Sequence, residues 1–127
     1  MTGRAMLWTG RVMSGLFAVF MLGASVAPKL LGMPVAEQTL ALLGWPPGYS
    51  VMIGLIELSC TLLYLIPRTR VPGAVAMTAL LGGAIATQIR AGSPLFSHIL
   101  FGVYLGLFMW GGLWLRDAKL RALLSGR

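Results

Sequence analysis

Acidic side chains are almost missing from this chain. Among its 127 residues only Glu37, Glu57 and Asp117 are acidic, and charged residues of all types make up 10%. A soluble domain carries about 25% charged residues, so a water-facing surface built from this composition would expose large apolar patches. The composition therefore excludes an ordinary soluble domain. The single cysteine, Cys60, excludes an intrachain disulfide, a CxxC redox pair and a cysteine-rich zinc site. With one histidine, His98, and so few carboxylates, no metal site is expected. A phosphate-binding glycine motif, a pair of haem-ligating histidines and a nucleophile elbow are also missing.

What the chain has instead is apolar length. Hydrophobic residues make up 57% and the mean hydropathy is +0.85. Four apolar runs, at about residues 11–28, 49–66, 71–89 and 98–115, approach or reach the ~20 residues that cross a bilayer. Proline and glycine clusters punctuate them at Pro28 and Pro34, Pro46-Pro47-Gly48, Pro67 and Pro72, and Gly92-Ser93-Pro94. Isolated runs of this kind hide their backbone polar groups from lipid only as helices. The expected fold is all-α: one domain over residues 1–127, an integral membrane four-helix bundle.

The net charge of +7 does not point to nucleic acid, because the basic residues form no stripe with interleaved aromatics. They sit at the ends of the apolar runs. Arg4, Arg11, Arg68, Arg70, Arg116, Lys119, Arg121 and Arg127 fall on one side, and only Lys29 and Arg90 on the other. That asymmetry predicts both termini in the cytoplasm and a multi-pass protein of the inner (plasma) membrane. Ser25-Val26-Ala27 resembles a signal-peptidase site, but Pro28 would follow the cut directly, so the first span is read as uncleaved. Val35–Leu43, ending at Gly44-Trp45-Pro46, reads as a short amphipathic helix at the outer interface.

Orientation assigns depth to the polar side chains. Glu57 lies roughly 10–12 Å below the outer start of the second span, counting 1.5 Å per residue. Lys29, Gln88, Arg90 and His98 all fall at outer helix ends. The spacing of Arg11, Gly15, Ala18, Leu22, Ser25 and Lys29 predicts one continuous stripe on the first helix. Glu57, Thr61 and Tyr64, then Met77, Leu81, Ala84 and Gln88, then His98, Gly102, Leu105 and Met109 predict three more. Gly82 with Ala86, Gly83 with Thr87, and Gly102 with Gly106 predict close helix contact.

An ionisable side chain at membrane depth costs about 2.5–3.5 kcal/mol, so Glu57 is expected to face the bundle and meet Lys29, Arg90 or His98. Glu57 and His98 are the acid/base candidates. Lys29, Gln88, Arg90, Tyr49 and Thr61 are the candidate ligand-binding residues. Each also has a plainer role open to it: a structural ion pair for Glu57, a snorkelling anchor for Lys29, a topology signal for Arg90, an interfacial polar residue for His98.

Gly10-Arg11, Pro28-Lys29-Leu30-Leu31-Gly32, Ile56-Glu57-Leu58, Leu63-Tyr64-Leu65-Ile66-Pro67-Arg68-Thr69, Gly82-Gly83-Ala84-Ile85-Ala86-Thr87, Ile89-Arg90 and Trp114-Leu115-Arg116-Asp117 together resemble the DoxX-like family of small four-helix membrane proteins. The resemblance implies that Lys29, Glu57, Gly82, Gly83, Arg90 and His98 occupy recurring positions, with Gln88 where relatives usually carry histidine. The family takes its name from a subunit associated with thiosulfate:quinone oxidoreduction, which implies a quinone as one lipophilic ligand or cofactor. Two functions follow. One is a binding protein or enzyme for a small lipophilic molecule in an outer-half pocket. The other is a non-catalytic accessory subunit of a larger membrane complex, or a homo-oligomer, whose polar cluster only holds the helices together.

Overall fold

A computed structural model describes residues 2–126; Arg127, counted above among the basic residues, lies outside them. The described residues are helical apart from short connections and contain no strand. Helix α1 runs over Gly3–Leu30, α2 over Pro34–Leu42, α3 over Ser50–Leu65, α4 over Arg70–Arg90, α5 over Leu95–Arg116 and α6 over Ala118–Leu124. α1, α4 and α5 are long and apolar enough to cross a membrane, and α3 is an apolar helix of 16 residues. Their outward faces carry exposed Leu16, Val19, Leu55, Leu62, Val75 and Leu107, a surface suited to lipid and not to water.

α1 begins upstream of its apolar run because Thr2 caps it, its hydroxyl accepting from the Ala5 amide at 3.1 Å. The helix is not regular throughout. Over Met21–Val26 it widens into a π-turn, and the Ala27 amide bonds to Leu22, five residues back. Pro28 accounts for this. It has no N–H for the Ala24 carbonyl, and its ring would press on that carbonyl in an α-helix. The extra residue changes the helical register. Of the expected stripe Ala18 is buried, but Arg11 and Gly15 are exposed, and Gly10, Ser14 and Phe17 are the other buried positions below the turn, with Met21 buried at its start. Ser25 within the turn and Lys29 just beyond it are on the inner face.

α1 packs on α5, α5 on α4, α4 on α3, and α3 on the π-turn and last turn of α1. The shared core is Phe17, Met21, Tyr64, Met77, Leu81, Met109 and Leu113. Helices α1 and α5 approach closely where they cross: a Cβ built on Gly10 would lie 2.6 Å from the Gly112 carbonyl oxygen. Gly73 is pressed against the Leu63 and Tyr64 backbone in the α3–α4 hairpin, and Gly102 against Ile85 at 2.7 Å. Gly82 and Gly83 do not make the expected close contacts, since nothing lies within 4 Å of either. They sit on exposed parts of α4, where no helix crosses.

At the basic end, Arg116 Nε donates to Ser14 Oγ (3.0 Å), and Ser14 Oγ and Tyr64 Oη lie 2.7 Å apart. The Tyr64 hydroxyl donates to the Met109 carbonyl (2.7 Å), so Ser14 donates to Tyr64. This chain joins α1, α3 and α5. Asp117 caps α6 through the Leu120 amide (3.1 Å) and pairs with Arg70 (2.9 Å). Burial pushes its carboxyl up, but the Leu120 amide and the Arg70 guanidinium outweigh that and hold it below the usual carboxylate range.

A candidate lipophile-binding site

At the end opposite the basic cluster, the helices enclose a cavity of about 650 Å³. α2 lies across it as a roof, with Ala36 and Leu40 buried beneath. The Pro34 start and the turn at Gly44, whose φ is +90°, set the length of that roof. Phe20 of α1 and Phe101 of α5 form one wall, their rings edge-to-face at 5.3 Å. Both residues are partly exposed, at 37% and 39%. Most of the remaining lining is aliphatic.

Polar groups gather at one place. Lys29 Nζ donates to Glu57 Oε1 at 2.8 Å, Ser25 Oγ donates to Glu57 Oε2 at 2.7 Å, and Lys29 also donates to Ser25 Oγ at 2.9 Å. The Lys29 and Glu57 side chains are only 16% and 9% exposed. This three-residue ring ties α1 to α3, and all three members line the cavity. α3 is apolar enough to be held in place by its surroundings, and its 4-3-4-3 row of Ser50, Gly54, Glu57, Thr61 and Tyr64 faces inward. Gly54 lets α1 come close: a Cβ there would lie 2.9 Å from Lys29 Cβ.

Gln88 and His98 share the same cavity. The Gln88 side-chain oxygen is buried and has no hydrogen-bond partner among the described residues. His98 is exposed, with Nδ1 2.7 Å from Ser97 Oγ. The other three candidates lie apart from the lining. The Thr61 hydroxyl donates to the Glu57 carbonyl within α3 (2.8 Å) and is fully buried. Tyr49 stacks at an angle on Trp45, ring centroids 6.1 Å apart. Arg90 is exposed, its guanidinium beside Gly44 in the loop after α2. Of the cations in question, Lys29 alone reaches Glu57.

Ser25 belongs to the site although its role was not assigned from sequence. Its signal was the four-residue spacing to Lys29, which puts the two on one helix face. Both acids and bases needed for proton transfer are present, but both carboxylate oxygens of Glu57 are already engaged. A ligand in the cavity therefore meets a satisfied ion pair and not a bare carboxylate. Among the described residues there is no group of three or more histidine, cysteine or acidic residues able to hold a metal ion.

No curated protein and no solved structure matches this chain. The model of the DoxX-like family matches residues 12–112, from the third turn of α1 to near the end of α5. That span includes the whole cavity lining, from Phe20 to Leu105. The chain is a membrane protein and belongs to the DoxX-like family.

Proposed function

We propose that the chain crosses the membrane four times, α3 included, with both termini cytoplasmic, and that the cavity in its outer half binds a small lipophilic molecule. The observation that carries this is the cavity itself: about 650 Å³, largely apolar, with the Lys29–Glu57–Ser25 ring at one side. Ligand sites of this size are typically apolar with a few convergent polar groups. Access from the lipid would run between α1 and α5, where the Phe20 and Phe101 rings meet. A quinone is one ligand of suitable character. Glu57 and His98 are the groups that would move a proton if the bound molecule reacts, and Gln88 and Lys29 those that would orient it. The eight-to-two distribution of basic residues supports the orientation and an inner-membrane location.

The direct Lys29–Glu57 pair favours a second reading, in which the ring only fixes α1 against α3 and the protein serves as an accessory subunit. Two measurements separate them. Extraction of purified protein and mass spectrometry should recover a lipophile in near-stoichiometric amount. Titration with a short-chain quinone in nanodiscs should change Trp45 fluorescence saturably, and Trp45→Phe should remove the signal. A folded protein that yields no lipophile and no saturable signal refutes the binding reading and leaves the accessory role.

A further inference from the structure

The basic end of the molecule carries more charge than the chain itself can neutralise. Arg4, Arg11, Arg68, Arg70, Arg116, Lys119 and Arg121 lie there among the described residues, against a single carboxylate, Asp117. Most of these cations are engaged by the protein. Arg70 Nε pairs with Asp117, Arg116 Nε donates to Ser14, Arg121 Nη1 donates to the Trp114 and Leu115 carbonyls, and Arg11 lies over the Trp8 ring. Arg4, Arg68 and Lys119 have no hydrogen-bond or ion-pair partner among the described residues.

Two of those three share one groove. It forms where the turn between α3 and α4 meets the junction of α5 and α6, and Pro67, Arg68, Arg70, Asp117 and Lys119 line it. Both corners are fixed. The Thr69 hydroxyl donates to the Leu63 carbonyl at 2.8 Å and closes the hairpin turn, while the extended backbone of Asp117 (φ −122°, ψ 101°) ends α5 and starts α6. The Arg70–Asp117 pair, at 2.9 Å, bridges one corner to the other. Only Nε of Arg70 is used there, so its two Nη groups remain donors. Arg68 stands exposed on one corner and Lys119 on the other. Arg70 and Asp117 cancel, so the groove is left with the two positive charges of Arg68 and Lys119.

The surroundings select lipid as the source of the missing anion. Exposed Leu65 and Ile66 directly precede Pro67, exposed Val75 lies one turn along α4 from Val71 of the groove lining, and exposed Trp114 stands three residues before Asp117. The groove therefore opens where the apolar helix surfaces end, at the level of lipid head groups. Basic pockets between spans at this level hold anionic phospholipid heads. We infer that the groove binds the head of a phospholipid carrying two phosphates, one meeting Arg68 and the other Lys119, with the Arg70 Nη groups donating between them. A head with one phosphate neutralises only one of the two cations, and a zwitterionic head brings no net charge.

The test measures lipid retained on the purified full chain by native mass spectrometry, in neutral detergent holding equal mole fractions of cardiolipin, phosphatidylglycerol and phosphatidylcholine. A single cardiolipin should be retained in preference to the other two. Arg68→Gln and Lys119→Gln should each weaken its retention about fivefold, the share of one basic side chain at an anionic surface. Arg4→Gln, outside the groove, should leave retention unchanged. Neither Arg68 nor Lys119 has a partner in the protein, so without lipid both groove variants should melt with wild type; a lower melting temperature counts against the inference. Equal retention of phosphatidylglycerol, no retained lipid, or cardiolipin retention that survives both groove substitutions or falls as much with Arg4→Gln overturns it. Displacement of cardiolipin by excess inorganic pyrophosphate or by a short RNA also overturns it, since the groove would then take a soluble polyanion.

Discussion

The ion pair at the cavity can be tested by removing one partner at a time and then both. In Glu57→Gln the amide oxygen can still accept from Lys29, at present 2.8 Å away, but the opposing charge is gone. The Lys29 side chain is only 16% exposed. Stranding one member of a buried pair costs about 3–5 kcal/mol. The adjoining cavity can admit water to the freed cation, which sets the loss near the lower end, about 3 kcal/mol. For a chain of this size that lowers the melting temperature by roughly 10 °C. Lys29→Met leaves the carboxylate with only the Ser25 hydroxyl at 2.7 Å and should lose a similar amount. The double variant Lys29→Met/Glu57→Met removes both charges and fills the space with flexible apolar side chains. It should melt closer to wild type than either single variant, a strongly non-additive result. Scanning fluorimetry of all four proteins in one detergent reads this directly. If each single variant melts within about 2 °C of wild type, or if the two losses simply add, the pair is not buried and coupled as described.

Three other outcomes are expected. Gly10→Ala should lower the melting temperature, because its Cβ would lie 2.6 Å from the Gly112 carbonyl and overpacking costs about 1–3 kcal/mol. Gly82→Ala, with nothing within 4 Å, should be neutral or raise it slightly, and the reverse order would show that the helix crossing is misplaced. The lowered Asp117 pKa means that the carboxylate stabilises the fold above the usual carboxylate value of 3.8 and loses that contribution as pH falls through its own lower value. Wild type should therefore be more stable than Asp117→Asn at pH 7, and the gap should begin to narrow as pH falls below about 4 in chemical-denaturation curves; a gap that stays constant or widens with acidification contradicts the Arg70–Asp117 account. Reporter domains fused after the C-terminus and inserted within Pro67–Val71 should both read as cytoplasmic. A periplasmic or extracellular signal from either overturns the orientation.

The sequence by itself determined the solvent and the type of element. Three acidic residues cannot cover a water-facing surface, and the long apolar runs can satisfy their backbone in lipid only as helices. The inward face of α3 was legible for the same reason: Glu57, Thr61 and Tyr64 recur at helical spacing, and a carboxylate at that depth needs a partner. Only the tertiary structure decided which partner. Lys29 and Arg90 both stand at helix ends near the right depth, and periodicity gives no ground for choosing between them. The choice turned on Gly54, which lets α1 close on α3, and on the loop after α2, beside which Arg90 lies. The stripe on α1 was misjudged because a strict 3.6-residue period has no room for the π-turn before Pro28; one added residue rotates the rest of the helix by about 100°. Ser25 and Lys29 share the inner face as their spacing predicts, whereas Arg11 and Gly15, on the other side of the turn, are exposed. The glycines divide in the same way. A glycine's spacing shows that a close approach is permitted, but whether another helix takes it depends on where the helices cross, as Gly10 and Gly112 show against Gly82 and Gly83.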